Sequence, residues 1–167
     1  MISLKVDNCN GELNQQIYDD CINLIDVHSL TCTCGSHNNV IHGYYERKVR
    51  TNNGNISLKI IRIRCKYCGR THAVHVSLII PYKSVCLNTS IRIIKNEHID
   101  SLMTDNIKID EQVISRIKRT FNKKYKKWMS LSGLTFEDDL VLKSFIDFKS
   151  NFLQERKGPY NLICDST

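Results

Sequence analysis

No stretch of the 167-residue chain reaches the roughly 18 consecutive apolar residues that a membrane-spanning helix requires. The start, Met1-Ile2-Ser3-Leu4-Lys5-Val6-Asp7, lacks the basic opening and apolar run of a secretory signal. Together these absences predict a protein that stays in the reducing cytoplasm. Its eight cysteines are therefore expected as metal ligands or spare thiols, not disulfides. Glycine is scarce, with seven residues, and none forms the glycine-rich loop that cradles phosphates in nucleotide hydrolases. There is no internal repeat and no low-complexity segment. What remains is an ordinary globular composition, 41% hydrophobic and 25% charged. It suffices for a modest core, although a lobe of roughly 40–60 residues needs a staple such as a metal ion.

The charge is one-sided. A formal net charge of +7 and a pI near 9.0 favour a polyanionic partner, with a solvated lysine-rich face as the plainer reading.

Along the chain, residues 1–30 read as a leading strand (Ile2, Leu4, Val6) and an amphipathic helical stretch with Leu13, Ile17, Cys21 and Leu24 on one side. Cys9 and Cys21 fit no metal pattern and read as a turn thiol and a small buried side chain. Between 31 and 86, Val40–Arg50 and Ile56–Arg64 have strand content and flank the turn formers Thr51-Asn52-Asn53-Gly54-Asn55. Residues 87–158 are mostly helical. A short helix is expected at about Glu97 to Met103, then a long one from Asp110 to Met129 that ends at Ser132-Gly133. A last helix opens at Thr135-Phe136-Glu137-Asp138 and carries Leu142, Phe145, Phe148 and Phe152. Residues 159–167 read as a frayed tail. The fold class expected is α+β: a small zinc-ribbon β-hairpin lobe followed by a helical, helix-turn-helix-like lobe.

A cysteine pair stands near each outer end of the expected hairpin. Cys32-Thr33-Cys34-Gly35 is a tight C-x-C-G knuckle, and Cys65-Lys66-Tyr67-Cys68-Gly69 is a C-x-x-C-G knuckle. Zinc takes four soft or borderline ligands in a tetrahedron, and closely spaced cysteines reach one ion from a single turn. The expected site is one structural Zn2+ on Cys32, Cys34, Cys65 and Cys68. The one-residue spacing of the first pair leaves His28, His37 or His42 open as a replacement ligand. Four thiolates close the coordination sphere and leave no open position for catalysis.

The helix from Asp110 combines an apolar stripe (Val113, Ile114, Ile117, Phe121, Tyr125, Trp128) with many cations. Paired with the shorter helix before it, it matches a helix-turn-helix whose second helix enters the major groove. Gln112, Ser115, Arg116 and Arg119 are then nearest base edges, and Lys123, Lys124 and Lys127 neutralise phosphates. On the hairpin, Arg47, Arg50, Arg62 and Arg64 add a second cationic surface.

The runs Cys32-Thr33-Cys34-Gly35-Ser36-His37, His42-Gly43-Tyr44-Tyr45-Glu46-Arg47 and Ile63-Arg64-Cys65-Lys66-Tyr67-Cys68-Gly69-Arg70-Thr71-His72-Ala73 together resemble the N-terminal zinc-binding heads of bacterial insertion-sequence transposases. Those heads read C-P-x-C-G-S, then H-G-x-Y-x-R, then R-C-x-x-C-G-x-T. Leu78-Ile79-Ile80-Pro81-Tyr82 resembles the segment after the ribbon in related short, uncharacterised Firmicutes proteins, a domain of unknown function. The likeness covers roughly residues 30–85. It implies a DNA-binding zinc ribbon followed by helix-turn-helix elements, with Cys32, Cys34, Cys65 and Cys68 at the ligand positions. The one-residue first knuckle departs from the family pattern.

Transposases of that kind continue into a domain with three metal-binding carboxylates. About 40 residues follow the expected recognition helix here, too few for such a domain, and Asp138, Asp139 and Asp147 read as helix caps and solvated charges. His72 and His75 stand in no recognisable catalytic arrangement, and Cys86 and Cys164 read as inert thiols. No enzymatic activity is expected. The sequence thus points to a zinc-stabilised protein that binds double-stranded DNA and resides in the cytoplasm with the bacterial nucleoid. An RNA-binding zinc-ribbon module and a zinc-structured protein-interaction adaptor are the alternatives.

Overall fold

A computed structural model describes residues 1–6, 12–97, 109–156 and 158–163, with the side chains of 161–163 left out. The chain folds as α+β around one five-stranded sheet. In order, β1 (Ile2–Val6) leads to α1 (Gln15–Asn23), and the hairpin β2 (Asn39–Thr51) and β3 (Gly54–Cys65) follows. Then come β4 (Thr71–Val76), α2 (Leu87–Lys95), α3 (Glu111–Thr120), a π-helical turn (Phe121–Tyr125), α4 (Lys126–Leu131), α5 (Leu140–Phe148) and β5 (Tyr160–Ile163). The strands lie in the order β2-β3-β4-β1-β5.

The hairpin forms where alternation and turn residues predict it. Thr51 pairs with Gly54 across a two-residue turn, Asn52-Asn53, and Gly54 takes φ +126, a conformation that glycine adopts without a Cβ clash. Tyr18 does something periodicity cannot foretell. Its hydroxyl donates to the Val74 carbonyl (3.0 Å) and accepts from the Ile61 amide (3.0 Å), so a side chain of α1 replaces a ladder bond between β3 and β4. The main core lies there: Ile2, Leu4, Tyr18, Leu58, Ile60, Ile63, Val74 and Val76 are all buried.

The ends of the chain depart from expectation. The tail, read as frayed, supplies β5, which pairs in parallel with β1 from Ser3↔Tyr160 to Val6↔Ile163. β1 also pairs in parallel with β4. Cys21, read as a plain buried side chain, is disulfide-bonded, and its partner lies outside the described residues. That corrects the expectation that no thiol would be paired. Cys86 is free and buried, and burial pushes its thiol up, in line with an inert thiol.

The helical half packs on two smaller cores, one with Tyr125, Met129, Leu140, Phe145 and Phe152, the other with Val85, Ile93, Ile109 and Ile117. The long helix runs from Glu111 to Leu131 and is interrupted by the π turn, where the Lys126 amide bonds to the Phe121 carbonyl. The cause is legible in its apolar residues. Val113, Ile117, Phe121, Tyr125 and Met129 recur every fourth residue, and in an α-helix that spacing drifts by about 40° per repeat. A turn with an i→i+5 bond absorbs an extra residue and returns Tyr125 and Met129 to the core. Gly133 follows at φ +63, as a helix end requires.

The last helix starts later than expected, at Leu140. Asp139 caps it by accepting from the Leu142 amide (2.9 Å), while Asp138 closes the turn before it by accepting from Thr135 N (2.6 Å). It ends at Lys149, φ +54, so Phe152 reaches the core from the following turn. The expected helix at about Glu97 to Met103, and most of the turn after it, fall outside the described residues. Among those described, α2 is the helix that packs against α3.

Candidate metal centre and cationic surface

Each cysteine pair sits in a turn closed by the backbone. The Cys32 amide bonds to the Ser36 carbonyl (2.9 Å) and the Gly35 amide to the Cys32 carbonyl (2.9 Å). In the second knuckle the Cys65 amide bonds to the Arg70 carbonyl (2.9 Å) and the Gly69 amide to the Cys65 carbonyl (3.0 Å). Gly35 (φ +84) and Gly69 (φ +71) take the left-handed bend that the turns demand. The Lys66 amide to the Asn38 carbonyl (2.9 Å) ties one knuckle to the exit of the other.

This brings four sulfurs together. The Sγ atoms of Cys32, Cys34, Cys65 and Cys68 all lie within 4.8 Å of one another, with Cys32 to Cys68 at 3.6 Å and Cys34 to Cys65 at 3.7 Å. A tetrahedron with metal–sulfur bonds of about 2.3 Å has S···S edges of about 3.8 Å, so the donor set fits a single ion. Cys32 and Cys65 are buried, whereas Cys34 and Cys68 are exposed. The cluster is primed to lose protons unevenly. At Cys65 the Cys68 backbone, opposed by burial and helped by the Tyr67 backbone, holds the thiol down at about 6. At Cys34 the Ser36 backbone lowers the thiol, but burial and the sulfurs of Cys68, Cys32 and Cys65 together push it up to about 11. A cation among the four removes that conflict by taking all of them as thiolates.

The three histidines left open by the sequence are placed elsewhere. His28 bonds through Nδ1 to the Asn39 carbonyl (2.9 Å), and His37 through Nδ1 to the Ser29 carbonyl (3.1 Å). His42 lies at the bulge in β2 and is exposed. The histidine nearest the sulfurs is His72, for which the sequence offered no recognisable catalytic arrangement. It is buried, and its Nε2 lies 3.1 Å from the Cys32 Sγ. The one hint was its place four residues after Cys68; its partner is far away in sequence and is reached only through the folded hairpin. His75, also buried, has Tyr45 Oη at 3.0 Å and Arg47 Nη1 at 3.1 Å from Nε2.

The expected DNA contacts divide in two. Gln112, Ser115, Arg116 and Arg119 of α3 are exposed, as are Lys123, Lys127 and, on the hairpin, Arg64. The others are engaged within the protein. Arg47 donates to the carbonyls of Ile80 (2.9 Å) and Lys83 (2.7 Å), and Lys124 bonds to Ser150 Oγ (3.3 Å) and the Gln154 carbonyl (3.4 Å). Arg62 donates to Thr71 Oγ1 at 3.5 Å. Arg50 pairs with Asp110 at 3.2 Å, so the residue at the helix N-cap position uses its carboxylate on the hairpin and not on its own helix. The acidic residues set aside from catalysis are likewise occupied: Asp139 also pairs with Lys5 (3.1 Å), and Asp147 accepts from Trp128 Nε1 (2.7 Å).

A family model matches residues 31–119 and bears the description domain of unknown function, DUF6431. The chain belongs to that family. The DUF6431 span takes in both knuckles, the hairpin, β4, α2 and nearly all of α3, and so covers the sulfur cluster and the exposed Arg116 and Arg119 but not Lys123 or Lys127. No curated protein matches the chain. No solved structure matches it either. Among the described residues, no helix is long and apolar enough to cross a membrane.

Proposed function

We propose that the protein is a zinc-stabilised, double-stranded-DNA-binding protein, related to the recognition region of a transposase and without catalysis of its own. The observation that carries this reading is the stripe of Gln112, Ser115, Arg116, Arg119, Lys123 and Lys127, exposed along one long helix. That helix is braced at its start by Arg50–Asp110 and further along by Thr120 Oγ1 to Glu155 (2.7 Å). A rigid cationic helix with free side chains suits a major groove, where arginines read guanine edges and lysines displace counterions. The relation to transposases rests on the motif likeness of the knuckles and on nothing else. Four cysteine sulfurs at tetrahedral spacing favour zinc over harder cations.

Two measurements test the reading. Elemental mass spectrometry of protein purified without added metal is expected to give one zinc per chain. Fluorescence anisotropy at low salt is expected to give duplex binding that Arg116→Ala with Arg119→Ala weakens at least tenfold without unfolding the protein. Stronger binding to structured RNA reassigns the partner to RNA, and binding to neither leaves a zinc-structured adaptor.

A further inference from the structure

A cavity of about 540 Å³ opens beside the second knuckle, a volume within the range of small-molecule sites. Its lining includes Gly69, Arg70 and Thr71 of the second knuckle and β4, Thr33 of the first knuckle, and Tyr82 and Arg156. Two arginines face this space, and no carboxylate is among its described lining residues. Arg70 is already oriented, donating from Nη1 to Thr33 Oγ1 (3.1 Å).

Tyr82 is the anomaly. The turn Ile80-Pro81-Tyr82-Lys83 is closed by the Lys83 amide to the Ile80 carbonyl (3.2 Å), with proline second and Tyr82 third at φ +63. That is the type II pattern, whose third position calls for glycine. A bulky tyrosine there is strained, and the residue is 59% exposed, so burial gives back little. The ring instead underlies a cation: Arg156 Cζ lies 5.0 Å from its centroid. The result is a flat wall of aromatic ring and guanidinium. Both are surfaces on which nucleobases stack.

We propose that this cavity is a nucleotide site, with Arg70 and Arg156 holding the phosphate and the Tyr82–Arg156 wall receiving the base. The chain beside its lining is tied to the cationic helix. Glu155, next to Arg156 in the chain, accepts from Thr120 Oγ1 and pairs with Lys83, the neighbour of Tyr82. Glu155 also lines a groove with Arg119 and Lys123. Through this link the proposal extends to the end of a strand bound on the helix. That the nucleotide is a strand terminus rests on the DNA reading above; the site itself does not.

Calorimetry on the full, metal-loaded chain tests this with 5′-AMP, adenosine, ribose 5-phosphate and a 5′-phosphorylated single-stranded oligonucleotide. The expected result is AMP binding at least tenfold tighter than adenosine and lost in Arg70→Ala and Arg156→Ala, both checked for metal content. Tyr82→Gly, which relieves the strained turn and so folds, is expected to bind AMP no better than ribose 5-phosphate. Tighter binding of the oligonucleotide than of AMP identifies a strand terminus as the ligand, and equal binding a free nucleotide. Equal binding of AMP and adenosine, no binding of either, or wild-type AMP binding by the arginine variants overturns the proposal. The Arg116→Ala, Arg119→Ala protein keeps AMP binding, so loss of duplex binding and loss of the site are told apart.

Discussion

His72 on β4 places its Nε2 3.1 Å from the Sγ of Cys32, joining the strand that leaves the second knuckle to the residue that opens the first. An imidazole N–H directed at a thiolate spreads the negative charge that a four-sulfur site accumulates, and outer partners of this kind tune metal affinity. His72→Ala is therefore expected to lower metal affinity about 10–100-fold while one ion per chain still binds at saturation. His72→Gln, which restores an N–H donor, is expected to recover part of the loss. Competition with a chromophoric chelator measures both, and unchanged affinity in the alanine variant removes His72 from the metal site.

Tyr18 holds two strands with one oxygen. Tyr18→Phe leaves the Ile61 amide and the Val74 carbonyl without that partner in a buried setting. The expected cost is about 1–3 kcal/mol, read from the urea midpoint, with the metal content unaltered. A loss well under 1 kcal/mol would mean that β3 and β4 close directly on each other.

His75 ties stability to pH. Burial, reinforced by the Arg47 guanidinium, lowers its imidazole to about 3 from the usual 6.5. The folded protein therefore keeps His75 neutral where the unfolded chain protonates it. The unfolded state binds the extra proton between those values, so stability falls as pH drops from about 6.5 toward 3. At roughly 1.4 kcal/mol per unit, the full effect is on the order of 5 kcal/mol. Urea melts at pH 7 and pH 5 are expected to show the start of this loss, and His75→Gln is expected to reduce it. An identical pH dependence in the variant would assign the loss to the thiolates instead.

The four-cysteine cluster was the most legible part of the chain, because each knuckle declares itself within a few residues and the hairpin between them alternates. Arg47 shows where such reading stops. Strand alternation gives the face of the sheet a side chain occupies but not what covers that face, and here residues 80–83 fold back and offer two carbonyls to the guanidinium. β5 was illegible for a related reason. Four residues carry no measurable period, and Tyr160–Ile163 is a strand because β1 stands beside it. The contact of His72 with Cys32 gave no direct sequence signal, since its partner lies across the folded ribbon.

The pairing of β1 with β4 and β5 also sets an order of assembly. The chain reaches β4, one neighbour of β1, as soon as the hairpin is made, but β5, the other neighbour, only after the helical half, so one edge of β1 stays open while α2 to α5 form. Both knuckles and the hairpin between them are complete once His72 has emerged, and their contacts span a far shorter loop. The four-cysteine cluster is thus complete before the helical half exists, and the sheet closes only when its last strand arrives.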